Sequence, residues 1–231
     1  LSPAVQIAIE EAQTKVELED LYLPFKPKKN SRAEAARAAG LEPLAFTLLN
    51  DPNAEPLVEA KKYVAELKGI ASVDQALAGA RDILAEKFYE NPELIGFLRE
   101  KFWSEGWIYS QSASETKALD PDSQKFLDYF DFREAFTKIP SHRLLAILRG
   151  RAEAVLSARL ETSGILGYTD SSGNEGEYVQ EILKKFNIPL GPQPRGRWLF
   201  ETARFAWKYK IRIGLEIDAF MRLKKKAEDE A

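Results

Sequence analysis

The chain has 231 residues, 45% of them hydrophobic and 30% charged, with a formal net charge of -3 and no cysteine. Such a length buries a substantial core, and the missing cysteine excludes a disulfide framework or a Cys-based zinc site and suits a reducing compartment. No apolar run approaches the roughly 18 residues of a membrane span, and the negative net charge argues against strong nucleic-acid binding by this piece alone, leaving only a local basic stripe open.

Most of the chain reads as helix. Ala4 to Leu18 keeps Val5, Ile9, Ala12 and Val16 on one helical face. Pro24 and Pro27 then force an extended connection. Ser31 with Glu34 has the capping-box pattern that opens a short alanine-rich helix, and Gly40 sits where a left-handed helix end wants it. Leu41 to Leu49, Pro56 to Leu67 and Val73 to Tyr89 follow as helices, with Ser72 and Gln75 capping the last. Asn91-Pro92 starts another, which Gly106 ends.

The middle changes character. Trp107 to Ser112 and Ala154 to Leu160 are β-favouring and are expected to pair as an antiparallel ribbon. Helices from about Asp122 to Phe130 and from Ser141 to Leu148 lie between them. Ser171 to Gly176 reads as a flexible loop, Glu177 to Phe186 as helix, and Pro189 to Pro194 as a stiff connector. The longest helix follows, from about Arg197 to Glu230. The expected fold is therefore mainly α: a multi-helix array, a small two-stranded antiparallel ribbon and a long carboxy-terminal helix. Its parts are a helical array over 1–105, a helical region with the ribbon over 106–165, and a loop, short helix and spine helix over 166–231, closing as one compact unit.

Several charged constellations are candidates for function. On a helical wheel Arg197, Glu201, Arg204, Lys208 and Arg212 share one narrow strip, while nearly every other direction of that helix is apolar. The pattern suggests a buried spine with one thin exposed edge. That edge is either a solvated face or a docking strip for an acidic module or a phosphate backbone. Lys26, Lys28, Lys29 and Arg32 form a second basic site, which is either an ordinary polar loop or a phosphate contact. Arg143 and Arg149 are further candidates, beside His142, the only histidine. His142 lies just inside a helix start for which Ser141 is a good cap, and it is expected to have a structural hydrogen-bonding role. No nucleophile, acid-base or metal constellation assembles from the sequence. Asp120, Asp122, Asp128 and Asp131 lack the glycine turn and terminal glutamate of a calcium loop. No catalytic residue, metal or cofactor is therefore assigned.

Two long blocks carry a resemblance: VELEDLYLPFKPKKNSRAEAARAAGLEPLA (Val16 to Ala45) and FLDYFDFREAFTKIPSHRLLAILRG (Phe126 to Gly150). ALAGARDILAEKF (Ala76 to Phe88) and the terminal RLKKKAEDEA (Arg222 to Ala231) extend it. In order and spacing the chain resembles the amino-terminal helical region of the Tex family, the bacterial RNA-binding transcription accessory proteins. The resemblance implies a fragment of a longer cytoplasmic protein, with a nuclease-like fold, a helix-hairpin-helix unit and an OB-type RNA-binding domain following it. It implies RNA or DNA as partner, bound through the full-length protein in transcription or ribosomal complexes. It implies no enzyme activity, cofactor, small-molecule substrate or membrane. The expected role is a scaffold that positions those later modules. The competing class is a stand-alone helical protein-interaction module without nucleic-acid binding.

Overall fold

The computed structural model describes residues 9–12, 15–22, 31–65, 69–162, 174–189 and 191–229. The chain divides into two compact units, Leu1–Phe97 with Ser171–Ile213 and Leu98–Asp170 with Gly214–Ala231. Each unit therefore draws on two separate stretches of sequence.

The described helices begin with α1 (Lys15–Tyr22), α2 (Arg32–Ala38), α3 (Glu42–Asn50), α4 (Pro56–Lys61), α5 (Val73–Tyr89) and α6 (Pro92–Glu105). Their starts follow the local chemistry. The Ser31 hydroxyl accepts the Glu34 N–H at 3.0 Å, Ser72 accepts that of Gln75 at 3.2 Å, and the Asn91 carboxamide accepts that of Leu94 at 2.9 Å. Gly40 takes φ +83°, the left-handed turn that closes α2. The helix expected over Pro56 to Leu67 is shorter. It ends at Lys61 and gives way to a turn and a bridge between Ala65 and Ile70.

In the first unit α5 packs against α2, α3, α4 and α10 (Pro194–Ala206). Ala76 and Ala80 let neighbouring helices approach closely, and Ile83, Leu84 and Phe88 fill the interior with Leu44, Leu48, Leu199 and Ala203. Across the α2–α5 contact the buried Glu86 receives the Arg37 guanidinium at 2.5 Å. α9 (Asn174–Lys185) brings Tyr178 flat onto Trp207, with ring centroids 4.3 Å apart and planes 13° apart. α9 starts at Asn174, so the end of the loop expected over Ser171 to Gly176 is helical. Pro194 likewise belongs to the helix after it, at the first helical position, where its missing N–H costs nothing.

The second unit contains the sheet. The expected pairing is present: β1 (Gly106–Ser112) runs antiparallel to β3 (Leu156–Thr162), with Tyr109 opposite Arg159. A third strand, β2 (Asp131–Ala135), pairs with the other side of β1, so the sheet has three strands in the order β2-β1-β3 rather than two. The predicted helix before β2 is a 3₁₀ helix, Pro121–Tyr129. Gly106 opens β1 because a β-carbon there would lie 1.9 Å from the Phe136 ring and 2.6 Å from the Phe102 carbonyl. Two short helices complete the region, α7 (Glu115–Ala118) and α8 (Ser141–Ala152).

The carboxy-terminal helix runs from Pro194 to Asp229 as α10, a π-helical turn (Trp207–Ile211) and α11 (Arg212–Asp229). Its Leu199, Ala203, Ala206, Trp207 and Ile211 are buried in the first unit. Leu215, Ala219, Leu223 and Ala227 are buried in the second, where Arg222 stacks on Trp103 at 4.0 Å and Lys226 donates to the Ile139 carbonyl at 3.1 Å.

Candidate functional site

The basic residues of the last helix do not keep the single strip that a uniform wheel gives them. Arg197 and Lys208 are exposed, whereas Arg204 and Arg212 are half-buried, and Arg204 pairs with Glu201 at 3.2 Å. For Arg212 the cause is the π turn, Trp207–Ile211, which precedes it. It places an extra residue in one turn and so rotates all later positions back by about one residue, or roughly 100°. Through and beyond it the outward edge passes through Tyr209 and Ile213, which are exposed, while Ile211 is fully buried. In the second unit Ile217 and Met221, each 59% exposed, are also outward. The helix is thus buried along one side, but its open side is partly apolar rather than a thin charged edge.

Lys26, Lys28 and Lys29 lie outside the described residues. Arg32, the fourth member of that basic group, is exposed at the start of α2. It does not stand alone. Arg32, Arg81 of α5 and Lys210 of the π turn all act electrostatically on Asp82. Arg81 also lies over the Phe205 ring at 4.2 Å. Arg81 and Lys210 were not singled out in the sequence, because their proximity to Arg32 depends on packing between separate helices.

Burial raises the Asp82 carboxyl above its ordinary value of 3.8, against the pull of those three cations and with a further push from Glu86. A raised carboxyl binds its proton more tightly when folded. Its favourable contribution is complete below the unfolded value and is lost as pH climbs through the folded one. Asp82→Asn is therefore expected to stabilise the protein slightly at pH 7, by less than about 1 kcal/mol because solvent screens a half-buried group. The gain should disappear when urea melts are repeated near pH 3.

Arg143 and Arg149 stand exposed on α8, and both are already paired. Arg143 meets Glu134 at 3.2 Å and Arg149 meets Glu153 at 2.9 Å. Lys125 joins the second pair, and the hydrogen bonds from Lys125 and Arg149 hold the Glu153 carboxyl below its ordinary value. His142 is exposed, and no hydrogen bond to its ring is found among the described residues, so the structural bond expected for it is not seen. Nor does Ser141 cap α8. Pro140 occupies the cap position and Ser141 is the first helical residue.

On the sheet, two guanidinium–ring pairs went unnoticed in the sequence. Arg133 lies over Trp107 at 4.5 Å and Arg159 over Tyr109 at 4.4 Å. The signal was the alternation within each strand, which becomes informative only once β2 is recognised as a strand.

Among the described residues no group of three or more His, Cys, Asp or Glu side chains is placed to hold a metal ion, and no helix is long and apolar enough to cross a membrane.

Comparison with known proteins identifies relatives of the chain. Residues 51–231 match the family model described as Tex central region-like. The chain is 41% identical over its whole length to "Protein tex" of Bordetella pertussis and 40% identical over its whole length to "Transcriptional accessory protein Tex" of Neisseria gonorrhoeae, covering 29% of each. A more distant relative is "S1 RNA-binding domain-containing protein 1" of Pongo abelii, 29% identical over 71% of this chain and 17% of its own length. The chain thus spans less than a third of the curated relatives it matches.

Proposed function

The chain belongs to the Tex family, and we propose that it acts as a non-catalytic helical scaffold within a cytoplasmic, Tex-like transcription accessory protein. In this role it positions nuclease-like, helix-hairpin-helix and OB-type RNA-binding modules elsewhere in the polypeptide. RNA or DNA is the partner of the whole protein, a reading supported by the Pongo abelii relative, which is named for an RNA-binding domain.

One observation carries the role: a helix from Pro194 to Asp229 is buried along one side through nearly its whole length. A helix of that kind is held by packing more than by its own propensity. It rises about 1.5 Å per residue, which is the geometry of a spacer. The exposed Leu57 and Val58 of α4, at 60% and 50%, favour the second reading, a protein-interaction module.

The scaffold role is tested by inserting one alanine after Glu216 in the full-length protein. The insertion turns everything beyond it by about 100° along the helix. Complementation of a strain lacking the gene is expected to fail, while RNA affinity in a filter-binding assay stays within twofold of wild type. Full complementation by a well-folded insertion variant would exclude the spacer role. Recovery of a protein partner with no RNA at low salt would favour the interaction module.

A further inference from the structure

In the first unit the outward edge of the terminal helix combines apolar side chains with unbalanced positive charge. Tyr209 and Ile213 lie four residues apart on that edge and are 54% and 48% exposed. The half-buried Phe205 ring adjoins Tyr209, with centroids 4.9 Å apart. A single exposed apolar side chain needs no explanation, but these three make a ridge along the helix. All of them belong to the first unit.

The rim of the ridge is basic. From Glu201 to Ile213 the helix has four cations and one acid, in a chain whose net charge is -3. The acid, Glu201, is already held by Arg204 at 3.2 Å. Lys210 shares Asp82 with Arg81 and Arg32, so that carboxyl is outnumbered. Lys208 is exposed beside the ridge. Its ammonium lies 5.3 Å from the centre of the Tyr209 ring, and no ion pair to it is found among the described residues.

Shape and charge together narrow the occupant. A phosphate backbone would match the cations but leave Ile213 in water, so the apolar ridge favours a protein surface. Complementary charge calls for carboxylates beside the apolar groups of that surface. Two half-open side chains with a charged rim fall well short of the roughly 1,200 Å² that a stable contact between separate proteins buries. A partner tethered in the same polypeptide meets the ridge at a roughly millimolar effective concentration, so a small contact suffices. The relatives leave room for such a partner, because the chain spans 29% of two of them.

We propose that the Phe205–Tyr209–Ile213 ridge, with Lys208 at its rim, docks an acidic, apolar-tipped surface of a module elsewhere in the same polypeptide. This rests on the scaffold reading above and gives the scaffold a surface with which to hold a module.

The test uses the full-length protein, purified without RNA. Zero-length carbodiimide coupling joins an amine to a carboxylate only where the two already touch. Lys208 is expected to couple to an aspartate or glutamate outside the 231 residues, within the band of a single polypeptide. Hydroxyl-radical footprinting reads the ridge itself. An open Tyr209, 54% exposed, would react within about twofold of its rate in urea, whereas a covered one should react at least about fivefold more slowly than in urea. Lys208→Glu should raise the native rate at Tyr209 at least about threefold, because it sets like charges against each other. Lys208→Arg should keep the protection and lose the coupling. Thermal melts check that both variants fold. An open Tyr209 in the wild-type protein overturns the proposal. So does the lack of any coupling from Lys208 to a residue outside the 231. Protection that disappears on dilution, which marks a second copy, or that appears only with added RNA, also overturns it. If Tyr209 is open while the alanine insertion after Glu216 still abolishes complementation, the ridge is wrong and the scaffold reading stands. If Tyr209 is covered and Lys208 couples as expected, yet the insertion variant complements, the ridge stands and the spacer role is wrong.

Discussion

Replacing Trp207 with alanine is expected to cost about 4 kcal/mol of folding stability. The indole is 2% exposed and lies flat against Tyr178, itself 1% exposed. Truncation removes one of the largest buried side chains and leaves a cavity that neighbouring helices cannot close without shifting. It also removes an aromatic pair. Trp207→Phe separates these contributions. The indole Nε1 has no hydrogen-bond partner, so phenylalanine sacrifices no polar contact and should cost well under half as much. Urea titrations followed by far-ultraviolet circular dichroism read both variants. A loss below about 1 kcal/mol for the alanine variant would show that the stack does not anchor the helix.

Trp207 also marks where the sequence stops being legible. Up to that residue a wheel at a constant angle assigns the buried face well, through Leu199, Ala203 and Ala206. Beyond it the wheel assigns Arg212 to the charged edge and hides Ile213, whereas Arg212 is half-buried and Ile213 is 48% exposed. A π turn has no composition of its own. The residues Trp207 to Ile211 are ordinary helix formers, and the extra residue is tolerated because Ala206 and Ile211, five positions apart, can then both face the core. Helix starts were legible because caps are local chemistry, as at Ser31, Ser72 and Asn91. Pro194 misled because the same residue that forbids helix before it is well suited to open one.

The sheet shows the same division. β1 and β3 have alternating or β-branched sequence and were expected to pair. β2 has the sequence DFREA, whose acidic residues and alanine disfavour a strand, and it was not expected. It becomes a strand because β1 presents a free edge beside it. Recognition of the Arg133–Trp107 pair therefore depends on a long-range event that local propensity does not encode. The clustering of Arg32, Arg81 and Lys210 around Asp82 has the same origin, since the four residues come from three elements.

Arg195→Met is the second large effect, expected at about 3 kcal/mol and a melting temperature lower by roughly 6–12 °C. Arg195 is 8% exposed at the start of α10. Its Nε donates to the Leu48 carbonyl at 2.8 Å and its Nη2 to the Leu49 carbonyl at 2.6 Å. Those carbonyls belong to the last turn of α3, where the helix itself supplies no donors and the macrodipole is negative. One guanidinium thus caps one helix from the first turn of another and joins segments 147 residues apart in sequence. Burying a cation has its own cost, and exchanging a buried ion pair for apolar groups is sometimes stabilising. Here the exchange is one-sided. Methionine fills the stem's volume, but both carbonyls stay behind, each losing a charge-assisted bond, so the unsatisfied acceptors decide the sign. Arg195→Lys should fall between, because one ammonium does not reproduce the planar fork that spans two carbonyls. A methionine variant as stable as the parent would mean that water or backbone relaxation satisfies α3 without the arginine.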